Sequence, residues 1–201
     1  MSDPAQLLLV RHGQSTWNAD GRWQGTEDPP LSTLGVRQAR HAASRLGAFD
    51  AVVASPLERA FVTATILADE LGIGPVQVDD DLRERCAGEY QGLTRDQIEH
   101  RFPGYLAEGL RPPGWEEDDS VLERAAGALA RVALDVGPGG TALVVSHGGV
   151  IHTLERATGA QRSRRLPNLG GRWFEVGPGR LEAGDEVLLV DEDEVTVPRQ
   201  L

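Results

Sequence analysis

Three short apolar runs in this chain end abruptly at small or charged residues. They are residues 6–11 (QLLLVR), 51–54 (AVVA) and 141–146 (TALVVS). None alternates, as expected of strands covered on both faces. Between them apolar positions recur at helical spacing. Leu34, Ala39, Ala42, Ala43 and Leu46 share a face after Ser32, with Gly47 as the stop. Leu57, Ala60, Phe61, Ala64, Leu67, Ala68 and Leu71 predict a second helix ending at Gly72. A third helix is predicted over 119–136, with Leu122, Ala125, Leu129, Val132 and Val136 inward, and a fourth over 149–158. Residues 76–78 read as a short strand, 19–31 as a polar loop, 79–94 as an irregular loop, and 172–190 as short strands joined by turns. The segment 95–118, with Pro103, Pro112, Pro113 and Gly114, predicts short helices and a loop. Strands alternating with helices imply an α/β fold: a three-layer α/β/α sandwich around a mostly parallel central sheet. With no internal repeat or linker, one domain is expected over 1–201, carrying a small cap at about 95–118.

The ends of these runs carry the candidate chemistry. The first run ends at Arg11-His12-Gly13 and the last at His147-Gly148-Gly149, while Arg59 follows the second run and Glu84-Arg85 the short strand 76–78. The carboxyl ends of parallel strands share one edge of a sheet, where open α/β sheets bind ligands. Two imidazoles, two or three guanidiniums and one carboxylate converge there. Arginines favour a dianionic ligand, a neutral imidazole among them can attack phosphorus, and a carboxylic acid can protonate the leaving oxygen and then activate water.

Composition narrows the chemistry. Acidic residues outnumber basic ones, 31 to 20, for a net charge of −11. Nucleic acid and anionic membrane surfaces are therefore not expected as partners. Every basic residue is arginine, so Schiff-base, P-loop and lysine-base chemistry are excluded, and anion recognition falls to arginine, histidine and backbone N–H groups. The single cysteine, Cys86, fits a reducing, cytoplasmic setting. No apolar run is long enough for a transmembrane helix, and the amino-terminal stretch reads as a strand rather than a signal peptide. No metal or other cofactor is expected, because no ligand-like spacing surrounds His12 and the arginines repel a cation.

Five ordered blocks resemble one known group: LLLVRHGQSTWN (7–18), RWQGTEDPPLSTLGVRQA (22–39), ASPLERAFVTA (54–64), LRERCAGEYQG (82–92) and VVSHGGVIH (144–152). They are similar to the histidine phosphatase superfamily, also called phosphoglycerate mutase-like, over most of residues 7–159. The resemblance implies that fold. It implies His12 as the nucleophile that becomes phosphohistidine, Arg11 and Arg59 as clamps on the phosphoryl oxygens, and His147 as a stabiliser of the transferring group. Glu84 would be the proton donor and later the base, with Glu89 and the run Asp79-Asp80-Asp81 as its rivals. Asn18, Gln24 and Gly25 would line the pocket, with Gly148 beside the phosphoryl group and Arg85 facing a substrate carboxylate. His152, one turn after His147, reads as a packing residue, with the pocket rim as the alternative. His41 and His100 read as solvated.

The block around Glu84 looks like that of the mutases, yet three departures favour hydrolysis. Ala87 stands where an aromatic residue follows in mutases, no lysine exists to fill a later position, and the cap lacks an arginine pair. Asp28-Pro29-Pro30-Leu31 also resembles the phosphatase branch. The expected activity is a metal-independent phosphomonoester hydrolase acting through phosphohistidine on a small phosphorylated metabolite. The alternatives are mutase-type phosphoryl transfer and a non-catalytic sensor of a phosphorylated metabolite. Trp115, with Trp17 and Trp23, hints at a partly apolar leaving group. The tail strands suit either completion of the sheet or pairing in a homodimer.

Overall fold

The computed structural model describes residues 3–161, 166–191 and 194–196. The expected domain bounds at 1 and 201 lie outside them. Six strands form one sheet: β1 (Ala5–Arg11), β2 (Ala51–Ala54), β3 (Gln77–Val78), β4 (Thr141–Ser146), β5 (Gly170–Gly177) and β6 (Arg180–Leu188). Their order is β3-β2-β4-β1-β5-β6. β1 to β4 pair in parallel, whereas β5 and β6 join as an antiparallel hairpin that completes one side. The continuous apolar run of β1 follows from its central place. Leu7 and Leu9 face one core; Leu8 and Val10 face the other.

Helices cover both faces. Against the first core lie α6 (Asp118–Val136) and α7 (Gly148–Ala157), bringing Val121, Ala125, Leu129, Ile151 and Leu154. Against the second lie α2 (Thr33–Ala43) and α3 (Glu58–Leu71), whose Ala42, Ala60, Ala64 and Ala68 allow close approach to the sheet. α2 starts at Ser32, whose side chain accepts from the Gly35 N–H, and ends at Ser44, three residues short of Gly47. The backbone leaves the helix through short-range turns over 44–46. The segment 19–31 is a loop only after a five-residue helix, α1 (Thr16–Asp20), closed by a capping box between Ser15 and Asn18. The loop 79–94 contains two short 3-10 turns.

The segment 95–118 contains α4 (Arg95–Arg101) and α5 (Tyr105–Glu108). It packs through a small aromatic cluster in which Tyr90 and Ile98 are buried beneath Trp23, Phe102, Tyr105 and Trp115. That cluster lies on the carboxyl side of the sheet, because the turn 22–28 that holds it also takes the Arg59 side chain from the first turn of α3, just beyond β2. Gln91 Oε1 accepts from the N–H groups of Thr26 (2.9 Å) and Ala87 (3.2 Å) and ties that turn to the turn 86–92.

Two glycines let the turn after β1 lie flat on α2. A Cβ at Gly35 would stand 2.1 Å from the Gln14 carbonyl oxygen, and one at Gly13 would stand 2.7 Å from the Gly35 carbonyl. Gly47 is exposed and has nothing within 4 Å of a Cβ. Gly35→Ala is therefore expected to destabilise by about 1–3 kcal/mol as an overpacking change. Gly47→Ala is expected to lie within about 1 kcal/mol of the parent. Urea denaturation of the two variants checks this; equal midpoints would mean that the close approach is not rigid.

Candidate active site

The pairing of β1 with β4 sets Arg11 opposite Ser146, so the next residues, His12 and His147, emerge side by side. The His12 N–H donates to the Ser146 carbonyl (3.1 Å), and the two rings meet edge to face at 5.2 Å between centroids. β2 lies on the other side of β4 and delivers Ser55. Its hydroxyl is 2.8 Å from His147 Nε2, which leaves Nδ1 of that ring without a partner among the described residues. α3 follows at once and places Arg59 in its first turn.

His12 is 1% exposed, and His147 and Arg59 are fully buried. His12 Nδ1 lies 2.7 Å from the Gly13 carbonyl, a contact that requires Nδ1–H in the neutral ring and leaves the lone pair on Nε2. Arg59 Nε–H donates to that lone pair at 3.2 Å. Burial, then the charges of Arg59 and Arg11, hold the His12 imidazole well below its usual pKa. His147 is pushed the same way by burial, then by Arg59 and His12. Both rings are therefore neutral at physiological pH. Burial pulls the Arg11 and Arg59 guanidiniums down to about 10 against the opposing pull of Glu84, which leaves both charged near neutrality.

A guanidinium in the first turn of a helix meets the wrong end of the helix dipole. The chain offsets this with oxygen atoms. Arg59 donates to the carbonyls of Glu27 (2.7 Å) and Gly25 (2.9 Å), and Asp28 lies 3.9 Å away. α3 has no cap of its own, and Asp28 caps it from outside by accepting the Glu58 N–H at 2.7 Å. Gly25 reaches Arg59 with φ +55, and a Cβ there would stand 2.1 Å from Gln91 Oε1, so only glycine fits.

Glu84 lies across a cleft mouth from these groups. Its carboxylate accepts from the N–H groups of Arg85 (2.8 Å) and Gly149 (3.1 Å). The second glycine after His147 is needed for this approach: a Cβ at Gly149 would stand 2.4 Å from Glu84 Oε1, whereas one at Gly148 would sit 3.8 Å from Arg11. Three of the rival carboxylates are engaged elsewhere. Glu89 pairs with Arg101, and Asp79 and Asp81 pair with Arg131.

Asn18 is buried, with Oδ1 accepting from the Ser15 N–H and from Asn168 Nδ2, which leaves its own Nδ2 without a partner. Gln24 takes the Ser15 hydroxyl at 2.5 Å. Gln24, Gly25, Arg85 and Gly148 line a cleft of about 840 Å³, its open mouth included, together with Arg11 and Glu84. His12, Arg59 and His147 lie behind that wall. The Arg85 guanidinium is held by the Glu116 carbonyl, Thr153 and Asp118, so it builds the wall as well as facing the cleft. Trp23 and Trp115 line the cleft, and Trp17 does not. His152 is both buried and on the cleft wall. His41 is exposed and pairs with Glu194; His100 is exposed on α4. Among the described residues no group of three His, Cys, Asp or Glu side chains is placed to hold a metal ion, and no helix is long and apolar enough to cross a membrane.

Sequence reasoning did not single out Ser55, Asn168 or Arg111. Asn168 donates to the His12 carbonyl at 2.9 Å and accepts from Thr196, whose own carbonyl takes the Asn168 N–H. Gln38 does similar work on Gln14, accepting its N–H at 2.9 Å and donating to the Glu194 carbonyl at 2.7 Å. Residues 194–196 thus form a strap beneath the His12 turn. Ser55 had a signal in its place at the end of an apolar run; Asn168 and Arg111 had none.

Paired imidazoles and guanidiniums at the carboxyl edge of a phosphoglycerate mutase-like α/β sheet mark a defined class of protein. The chain belongs to the histidine phosphatase superfamily (branch 1), whose family model matches residues 7–177. It is 38% identical over 189 residues to phosphoglycerate mutase-like protein 4 of Arabidopsis thaliana, covering 88% of this chain and 82% of that one. It is 36% identical over 178 residues to the metal-independent phosphoserine phosphatase of the same plant, covering 83% and 74%. Among solved structures, a mycobacterial glucosyl-3-phosphoglycerate phosphatase superposes with a TM-score of 0.79 at 31% identity, over 89% of this chain and 96% of that one.

The buried neutral histidines link stability to pH. In the unfolded chain each takes a proton as pH falls through 6.5, while in the folded chain each resists it, so acid favours unfolding. Stability is expected to fall between pH 7 and pH 5, by up to about 1.4 kcal/mol per pH unit for each histidine. The slope should be shallower in His12→Asn. Thermal melts across this range check it, and parallel slopes would show that His12 already carries a proton in the fold.

Proposed function

We propose that this protein is a metal-independent phosphomonoester hydrolase that works through a phosphohistidine on His12. The observation that carries the reading is the His12 ring itself. Its Nδ1–H is spent on Gly13, and its Nε2 lone pair is presented to a guanidinium that a phosphoryl oxygen can take over.

In this mechanism the phosphoryl group enters past Arg11 and Glu84, and Arg59 exchanges its bond to His12 Nε2 for one to a phosphoryl oxygen. Nε2 forms a bond to phosphorus as the bond to the ester oxygen breaks. Glu84, on the cleft side, gives that oxygen its proton. The alcohol leaves through the cleft. Glu84, now a carboxylate, takes a proton from water, whose oxygen bonds to phosphorus as the P–N bond breaks, returning His12 and releasing phosphate. Arg11, Arg59, the Asn18 amide and the amino end of α7 oppose the charge on the transferring group, the largest contribution expected in such reactions. His147, neutral and with one nitrogen free, is suited to bond the same group. These positive and polar groups supply what a metal ion would otherwise provide. The open mouth of the cleft gives water its route, which favours hydrolysis over return of the group to a second hydroxyl. The segment 95–118 forms the cap over the alcohol part.

Phosphate release from simple phosphomonoesters in the presence of EDTA tests this. His12→Ala should lose activity by about 10³-fold or more, and Glu84→Gln by about 10²–10⁴-fold. Gly149→Ala, which crowds Glu84, should lose far more than Gly148→Ala. Full turnover by the His12 variant would end the covalent mechanism.

A further inference from the structure

Five buried side-chain nitrogens have no hydrogen-bond partner among the described residues, and three of them gather around His12. Arg11 Nε precedes it in the chain. Asn18 Nδ2 belongs to an amide whose oxygen takes the same Asn168 Nδ2 (3.3 Å) that holds the His12 carbonyl (2.9 Å). His147 Nδ1 belongs to the ring that meets His12 at 5.2 Å between centroids. The oxygens of a phosphoryl dianion only accept hydrogen bonds. A guanidinium Nε and an amide Nδ2 can only donate, so two of the three nitrogens suit those oxygens by their own chemistry. An imidazole Nδ1 carries either a hydrogen or a lone pair, and the bond made by the other ring nitrogen decides which.

That bond is made to Ser55. Ser55 and His147 are both fully buried. β2 and β4 pair through Ala54 and Val145, and the Ser55 N–H extends the ladder to the Val145 carbonyl (3.0 Å). The backbone of Ser55 is therefore fixed against the strand that carries His147. The Ser55 hydroxyl accepts from the Leu57 N–H (3.3 Å) and lies 2.8 Å from His147 Nε2. Among the described residues, Nε2 is the one acceptor within reach of the hydroxyl hydrogen. With the hydrogen placed there, both groups are satisfied. With the ring donating instead, a fully buried hydroxyl would keep a hydrogen that nothing accepts, which folded proteins rarely tolerate. Burial, then Arg59 and His12, keep the ring neutral, so it has a single proton to place. The Nε2 lone pair is spent on Ser55, and the proton sits on Nδ1. His12 holds the same tautomer turned the other way: its Nδ1–H is spent on the Gly13 carbonyl, and its bare Nε2 is left over.

Resting on the hydrolase reading above, we propose that Ser55 is a positioning residue that fixes the proton of His147 on Nδ1, so that this ring donates to the phosphoryl group while His12 alone has a lone pair free to attack it. The reverse tautomer would set a lone pair against the phosphoryl oxygens and place a second nucleophile beside the first. Ser55 acts through His147 and needs no contact with the substrate.

The full chain with nitrogen-15 in its histidine rings is read by NMR near neutral pH, where protonated and bare ring nitrogens give separate signals. The His147 signals are those lost in His147→Gln. In the parent, Nδ1 should carry the proton and Nε2 none, and the Nδ1 signal should move when inorganic phosphate binds. In Ser55→Ala part of the proton should pass to Nε2, and phosphate affinity and kcat/KM should each fall by roughly 3- to 10-fold. Ser55→Thr, which keeps the hydroxyl, should recover the tautomer of the parent. In a His147→Gln background Ser55→Ala should change phosphate affinity by less than about 2-fold, because the residue through which it acts is gone. A proton on Nε2 in the parent would overturn the inference. So would an Nδ1 signal indifferent to phosphate, or equal losses from Ser55→Ala in both backgrounds. The parent spectra need no change at Ser55, so they decide the matter even where a substitution at this buried position does not fold. A parent whose Nδ1–H responds to phosphate but that releases none from any ester would keep the inference and overturn the hydrolase.

Discussion

The register between β1 and β4 is the constraint on which the rest of this site depends. A slip of one residue in either strand would turn its two faces to the wrong cores, so the two apolar layers fix the pairing of Arg11 with Ser146. That pairing alone brings two histidines, far apart in the chain, to a ring separation of 5.2 Å. The hydrophobic cores thus set the geometry of the polar centre, and the precision of that centre is the precision of a parallel sheet buried on both faces.

Holding two guanidiniums beside two imidazoles in a buried site is electrostatically unfavourable, and the protein answers with oxygen atoms more than with paired charges. Arg59 rests on the carbonyls of Gly25 and Glu27, and Arg11 on that of Leu166. Carbonyl partners satisfy the N–H groups without cancelling the positive charge. A carboxylate in their place would compete with the phosphoryl group that the charge exists to receive. Asp28, the nearest acid to Arg59, is spent on the first turn of α3. The loop 22–28 must therefore be an irregular, glycine-containing segment, because regular structure would have used those carbonyls internally.

How far this could be read from the sequence follows the range of the interactions. Strands such as β4 are legible as continuous apolar runs and helices such as α6 by their period, and His12, Arg11, Arg59 and His147 because each closes a strand or opens a helix beside one; Glu84, in the loop beyond β3, is legible only through the resemblance of its block. The end of α2 was misplaced since Leu46 continues the apolar period while the backbone has already left the helix. α1 was missed because five residues carry no period; its capping box was the only trace. Arg111 and Asn168 were invisible for a different reason. Arg111 comes from an aperiodic loop, Asn168 from the approach to β5, and only tertiary packing brings either to the cleft or to the His12 turn. The Glu155–Arg172 pair behind His152 likewise joins α7 to β5 in a way that no local pattern announces.

The strap of residues 194–196 lies beyond residue 177, where the family match ends. Yet through Gln38 and Asn168 it fixes the backbone that leaves the nucleophile, at the His12 carbonyl and at Gln14. Chemistry and rigidity are therefore encoded in different parts of the chain. A chimaera that moved only the 7–177 core onto another carboxyl-terminal tail would carry every reacting group and leave its brace behind.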